Sequence, residues 1–142
     1  MLDASSFKGT AANEIAEEAK LIVKEDDLIN MSELSLPETD TQEALQTAMY
    51  PSPGACDEFI PLFLCQKRLS RKHMEWLKGK ATGLRDQGEK ITLKLVPLDK
   101  AWKEGGRDGK ALAALALYQG LKGEGKIPEM PTKVEEEPED LK

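Results

Sequence analysis

Apolar side chains recur along this chain at spacings that predict four helical stretches and one strand. Ala12, Ile15, Ala19, Ile22 and Val23 fall close to one helical face, with Thr10 placed to cap its start. Glu14, Glu17 and Glu18 sit in the first turns, where the helix dipole favours negative charge. Leu28–Leu36 is apolar but irregular, and Pro37 ends it. Thr39 and Gln42 read as a capping box for a short helix over about 40–50. Pro51-Ser52-Pro53-Gly54 then stops the chain and is its best internal boundary.

The strongest stripe follows. Cys56, Phe59, Ile60, Phe63 and Leu64 have helical offsets, and Leu69, His73, Trp76 and Leu77 extend them, so a long helix is predicted over 56–80. Pro61 is the conflicting residue. In a helix interior it costs about 3 kcal/mol, so a start at Ile60 or a kink at Pro61 is expected. Ile91-Thr92-Leu93-Lys94-Leu95 alternates as a half-buried strand does. A single strand cannot satisfy its own backbone, so it must pair with the 28–36 region, with another chain, or not form. Residues 97–102 can make one helical turn. Asp108 caps a last helix, Lys110–Lys122, which is apolar nearly all round.

These elements imply a mainly α fold: three to four helices in an irregular small bundle, at most one short β-element, and a flexible acidic C-terminal tail. The 142 residues read as one domain over 1–125, followed by a Pro/Glu-rich tail over 126–142. The longest apolar run, Ala111–Tyr118, is far short of the roughly 20 residues that span a bilayer. The first residues lack the pattern of a secretory signal or a mitochondrial presequence.

Charge changes the picture. Residues 1–50 hold 11 acids and 3 bases, residues 51–125 hold 9 and 14, and residues 126–142 hold 6 and 3. The basic middle is expected to face an acidic surface, in this chain or in a partner. Lys67, Arg68, Arg71 and Lys72, with Lys78 and Lys80, carry that charge on the expected long helix. A nucleic-acid surface would need a base-reading element as well, and the net charge of −6 argues against one.

Candidate chemistry is sparse. The one histidine, His73, stands three residues after Ser70, with no orienting third group. Gly105–Lys110 fails as a phosphate loop, because Glu104 and Ala111 occupy positions that need Gly and Ser or Thr. Adjacent acids such as Asp26-Asp27 do not make a catalytic pair. On one helix Cys56 and Cys65 would be about 13.5 Å apart along the axis, beyond disulfide reach of roughly 7 Å. Two unbonded thiols favour a reducing, cytoplasmic compartment, with a mitochondrial one as the alternative.

Cys56 and Cys65, with apolar residues between them and Lys67-Arg68 after, resemble half of a twin-cysteine coiled-coil-helix module. That resemblance implies an accessory protein of the mitochondrial intermembrane space. The chain departs from the pattern with eight intervening residues instead of nine, and it has no second cysteine pair.

The sequence therefore points to a non-enzymatic accessory or assembly subunit, docked into a larger multi-protein complex through Leu112, Leu115, Leu117, Tyr118 and Leu121. The alternative is a free-standing regulatory module that grips an acidic partner with the 67–80 helix. Neither reading includes a small-molecule substrate, a cofactor, a metal or a catalytic residue.

Overall fold

The computed structural model describes residues 4–37 and 44–142. Helices account for 43% of it, and two two-stranded sheets complete the regular structure. The mainly helical expectation therefore holds in its coarse form, while the expectation of at most one β-element does not.

Helix α1 runs Ala4–Ala19, six residues earlier than expected and four residues short of Val23. It ends where Lys20 takes a left-handed conformation, φ 54°. Glycine is the usual residue there, and a side chain costs about 1 kcal/mol. The break sends Val23 inward and leaves Ile22 87% exposed, so the two do not share the helix face assigned to them.

Helix α2 covers Met31–Ser35, inside the stretch expected to be irregular. Asn30 caps it, its Oδ1 accepting the Glu33 N–H at 3.1 Å. The expected capping residues Thr39 and Gln42 lie outside the described residues. The described part of the 40–50 helix is not helical. Met49 instead forms an antiparallel bridge with Ile60, N–H to O at 3.0 and 2.8 Å.

The largest departure is at 56–70, where no helix forms. The chain is extended, Phe63–Cys65 (β2) pairs with Leu28–Asn30 (β1), and the helix is confined to α3, Arg71–Leu77. Tertiary partners satisfy the extended backbone. Leu62 O accepts the Met31 N–H at 2.9 Å, and the Leu62 N–H donates to Ser32 Oγ at 2.9 Å. Pro61, costly in a helix, lacks only an N–H that this segment does not use. The twin-cysteine resemblance loses its basis, because Cys56 and Cys65 are not on a helix. Both are free thiols, Cys56 exposed and Cys65 half-buried.

Ala81–Thr82 (β3) and Ile91–Thr92 (β4) pair antiparallel, Ala81 against Thr92 and Thr82 against Ile91. Gly79 and Lys80 extend the ladder to Leu93. The expected strand is thus paired within a hairpin, not with the 28–36 region. Two turns follow, Leu98–Lys100 and α4, Ala101–Glu104. Helix α5, Gly109–Gly123, matches its expectation closely, and Asp108 Oδ1 accepts the Lys110 N–H at 2.9 Å.

The chain divides into two compact units. One comprises residues 1–28, 65–96 and 129–142; the other comprises 29–64 and 97–128. The core of the second is Met31, Leu62 and Leu121, enclosed by Met49, Ile60, Leu64, Leu117, Tyr118 and Ile127. Ser32 is fully buried beside it and, among the described residues, supplies the acceptor for the Leu62 N–H. Replacing Ser32 with alanine orphans that donor, and a loss of about 1–3 kcal/mol is expected in denaturant melts. A melt unchanged within error would show that water takes over the bond.

Within residues 126–142 the regular structure is a single turn, Glu139–Leu141. Residues 129–142 nevertheless lie along the 67–72 edge of the first unit. Val134 bridges Arg68 in parallel, and the Glu135 N–H donates to Arg68 O at 2.8 Å. Among the described residues, no helix is long and apolar enough to cross a membrane.

Candidate functional site

Helix periodicity sets the first unit's acidic face. Glu14, Glu17 and Glu18 are spaced i, i+3 and i+4 on α1, which brings like charges together on one side. The β3–β4 hairpin adds a fourth carboxylate. Thr82 is buried, and its Oγ1 donates to the Glu18 carbonyl, while the Gly83 N–H donates to the Glu17 carbonyl at 3.4 Å. These bonds fix the hairpin on the last turn of α1.

Glycine is required at position 83 for two reasons. Its φ is +85°, and a Cβ would stand 3.1 Å from Glu89 Cγ and Oε2. The turn lets Glu89 Oε2 accept the Leu84 N–H at 2.8 Å, which holds that carboxylate beside α1.

The Glu18 carboxyl is raised above its ordinary value of 4.5, first by burial, then by the charges of Glu14 and Glu89, a hydrogen bond with Glu14, and the charge of Glu17. Among the described residues, none of these four carboxylates has an ion-pair partner. As they stand, no three His, Cys, Asp or Glu side chains among the described residues converge closely enough to hold a metal ion.

A raised carboxyl has a defined effect on stability. Between pH 4.5 and the higher folded value, the folded chain holds more protons than the unfolded one. Stability from this group therefore falls as pH rises through that window. Glu18→Gln removes the effect, so the variant is expected to melt higher than the parent at neutral pH and level with it near pH 4. The gain is modest because solvent and salt screen the face. A variant that melts lower at neutral pH would contradict this account.

Of the basic residues singled out by the sequence, Lys67, Arg68 and Lys72 are already engaged within the chain. Lys67 is 12% exposed and pairs with Asp27 at 2.7 Å and Glu135 at 3.2 Å. Burial alone would lower the Lys67 ammonium, but hydrogen bonds to Asp27 and Glu135 outweigh it and raise its pKa. Asp27 is held below 3.8, first by its bond to Lys67 and then by the Lys24 N–H. Arg68 Nε donates to Pro131 O at 2.8 Å. Lys72 Nζ reaches Leu141 O at 2.8 Å and Glu137 at 3.7 Å. Arg71 is exposed on α3. The acidic surface that the basic middle was expected to face therefore lies in this chain.

The apolar residues of α5 divide. Leu121, Leu117 and Tyr118 pack against Met31 and Leu62. Leu112 and Leu115, with Ala116, Gln119, Leu98 and Trp102, line a shallow open groove in the second unit. His73 is 3% exposed, its ring nitrogens have no hydrogen-bond partner among the described residues, and it meets Trp76 edge-on at 5.9 Å. Its backbone N–H, not its ring, bonds Ser70 Oγ at 3.1 Å, so there is no nucleophile–base pair.

Sequence reasoning read Glu14, Glu17 and Glu18 only as complements to a helix dipole. The available signal was their single-face spacing without an intervening base, followed by the hairpin glycines Gly83 and Gly88.

No protein-family model matches the chain, and no solved structure matches it. Among curated proteins, it is similar to "Nudix hydrolase 14, chloroplastic" from Arabidopsis thaliana, with 33% identity over 125 residues. Those residues are 88% of this chain and 38% of the relative, so the chain spans under two fifths of the relative's length. The similarity overturns the expectation of a non-enzymatic accessory or regulatory protein with only protein partners and no small-molecule substrate.

Proposed function

We propose that this chain contributes to a hydrolase acting on nucleoside diphosphate derivatives, and that the acidic face of α1 is its working surface. The observation that carries the reading is the similarity to a Nudix hydrolase across 88% of the chain. The chemistry of the site supports it. A diphosphate linkage is polyanionic, and its hydrolysis needs that charge neutralised. Magnesium does this with only one or two protein carboxylates, the rest of its shell being water and substrate phosphate oxygens.

Glu14, Glu17, Glu18 and Glu89 are oxygen donors of the type such an ion selects, and the Glu18 carboxyl is raised first by burial and then by the neighbouring charges of Glu14 and Glu89. When bound, the ion would supply charge stabilisation at the phosphates. Thr82 and Gly83 keep the last turn of α1, and so Glu17 and Glu18, in place. A plastid location belongs to the same proposal, since it comes from the relative's name.

The test is a panel of nucleoside diphosphate derivatives incubated with the full chain, with and without magnesium, and read by phosphate-containing products. Turnover is expected only with the ion. In the Glu14→Gln, Glu17→Gln, Glu18→Gln triple variant it should fall by about 100-fold or more. A folded chain that cleaves none of the panel, or a triple variant as active as the parent, would remove α1 from the chemistry.

A further inference from the structure

Residues 129–142 carry six acids and two bases and are held against the 67–72 edge of the same unit. Most of the contacts are insensitive to a small covalent change: the Glu135–Arg68 backbone bond, Arg68 Nε on Pro131 O, Lys67 on Glu135 and Lys72 on Leu141 O. One is different. Ser70 Oγ donates its proton to Glu137 Oε1 at 2.9 Å, so this contact exists only while Ser70 is a hydroxyl. Ser70 is part-exposed and lies in Lys67-Arg68-Leu69-Ser70-Arg71-Lys72, with cations at −3, −2, +1 and +2. Charge patterns of this kind direct serine kinases to their substrates.

We propose that Ser70 is a phosphorylation site for a base-directed serine kinase, and that its phosphate displaces residues 129–142 from the 67–72 edge. In the transfer, Ser70 Oγ attacks the γ-phosphorus of ATP and the bond to the bridging oxygen breaks. ADP leaves, and the hydroxyl proton passes to the kinase's basic carboxylate.

The consequence follows from charge. The donor to Glu137 is gone, and a group of about −1.5 to −2 takes its place beside an acceptor-only carboxylate. Lys72, which reaches Glu137 at 3.7 Å, and the flanking Lys67, Arg68 and Arg71 are cations that the new oxygens can draw away from residues 129–142. The oxygens can still accept the His73 N–H, so α3 keeps its start.

The test treats the full chain with ATP and a purified base-directed serine kinase. Mass spectrometry locates the phosphate, and hydrogen exchange follows residues 129–142. Modification is expected at Ser70 and not in Ser70→Ala, with exchange of the Glu135 amide faster by about tenfold or more and α5 unchanged. In Glu137→Gln, where the like charge is absent, phosphorylation should release the segment less. Failure to modify Ser70, unchanged exchange after modification, equal release in Glu137→Gln, or exchange rising throughout α5 would each overturn the proposal.

Discussion

Truncating Leu121 to alanine is expected to cost about 3–4 kcal/mol, the largest loss from any single side chain in the second unit. Leu121 is 2% exposed and meets Met31 and Leu62, which come from separate stretches of chain. Removing three carbons from such a site forfeits their transfer free energy and leaves a cavity that the neighbours fill only in part. Collapse is hindered because Met31 and Leu62 are tied to each other through the backbone bond at 2.9 Å. Denaturant unfolding followed by fluorescence or circular dichroism measures the loss. Leu112→Ala is the internal control: Leu112 is 41% exposed, and a change below about 1 kcal/mol is expected there. Equal losses at the two positions would mean that α5 does not bury the face assigned to it.

Lys67→Met is expected to destabilise the first unit by about 2–3 kcal/mol. The methionine keeps most of the apolar stem but takes from Asp27 and Glu135 the cation they share. Breaking a buried pair costs more than the pair contributes, because an uncompensated charge remains. The partly exposed carboxylates put this case toward the low end.

The parent's pH dependence carries the same signature. The lowered Asp27 contributes stability above pH 3.8 that is lost as pH falls through its folded value. The raised Lys67 contributes stability below 10.5 that is lost as pH rises through its higher folded value. Melting temperatures across that range should show the variant's deficit widest between the limits and narrowing at both ends. A deficit independent of pH would indicate lost packing instead of lost charge.

What the sequence disclosed, and what it hid, follows from where each segment finds its hydrogen bonds. Helix α5 was legible because its signals are local: Asp108 caps it and its apolar residues propagate it. Helix α2 could also have been read, since Asn30 and Glu33 have capping-box spacing. The 56–65 stripe misled because helical spacing of apolar residues is a statement about burial, not about backbone. Once Ser32, Met31 and Met49 offer partners to Leu62 and Ile60, the extended form satisfies the backbone and removes the conflict at Pro61.

The charge layout left open whether the basic middle faces this chain or a partner, and Lys67 between Asp27 and Glu135 is one such pairing inside the chain. The acidic face of α1 was visible in composition but not in meaning. Its fourth member, Glu89, arrives through a hairpin whose pairing the sequence left open.

The way the two units share the chain has a consequence for synthesis. The first is assembled from three stretches and the second from two, and they alternate along the sequence. Neither unit corresponds to one contiguous segment, so neither can be excised by cutting the chain once or twice. As the chain emerges from the ribosome, α1 must wait for the hairpin around Gly83, and Met31 and Leu62 must wait for Leu121. Closing such long loops is entropically slow, and apolar surface stays uncovered meanwhile. Refolding is therefore expected to be slow for a chain of this helical content.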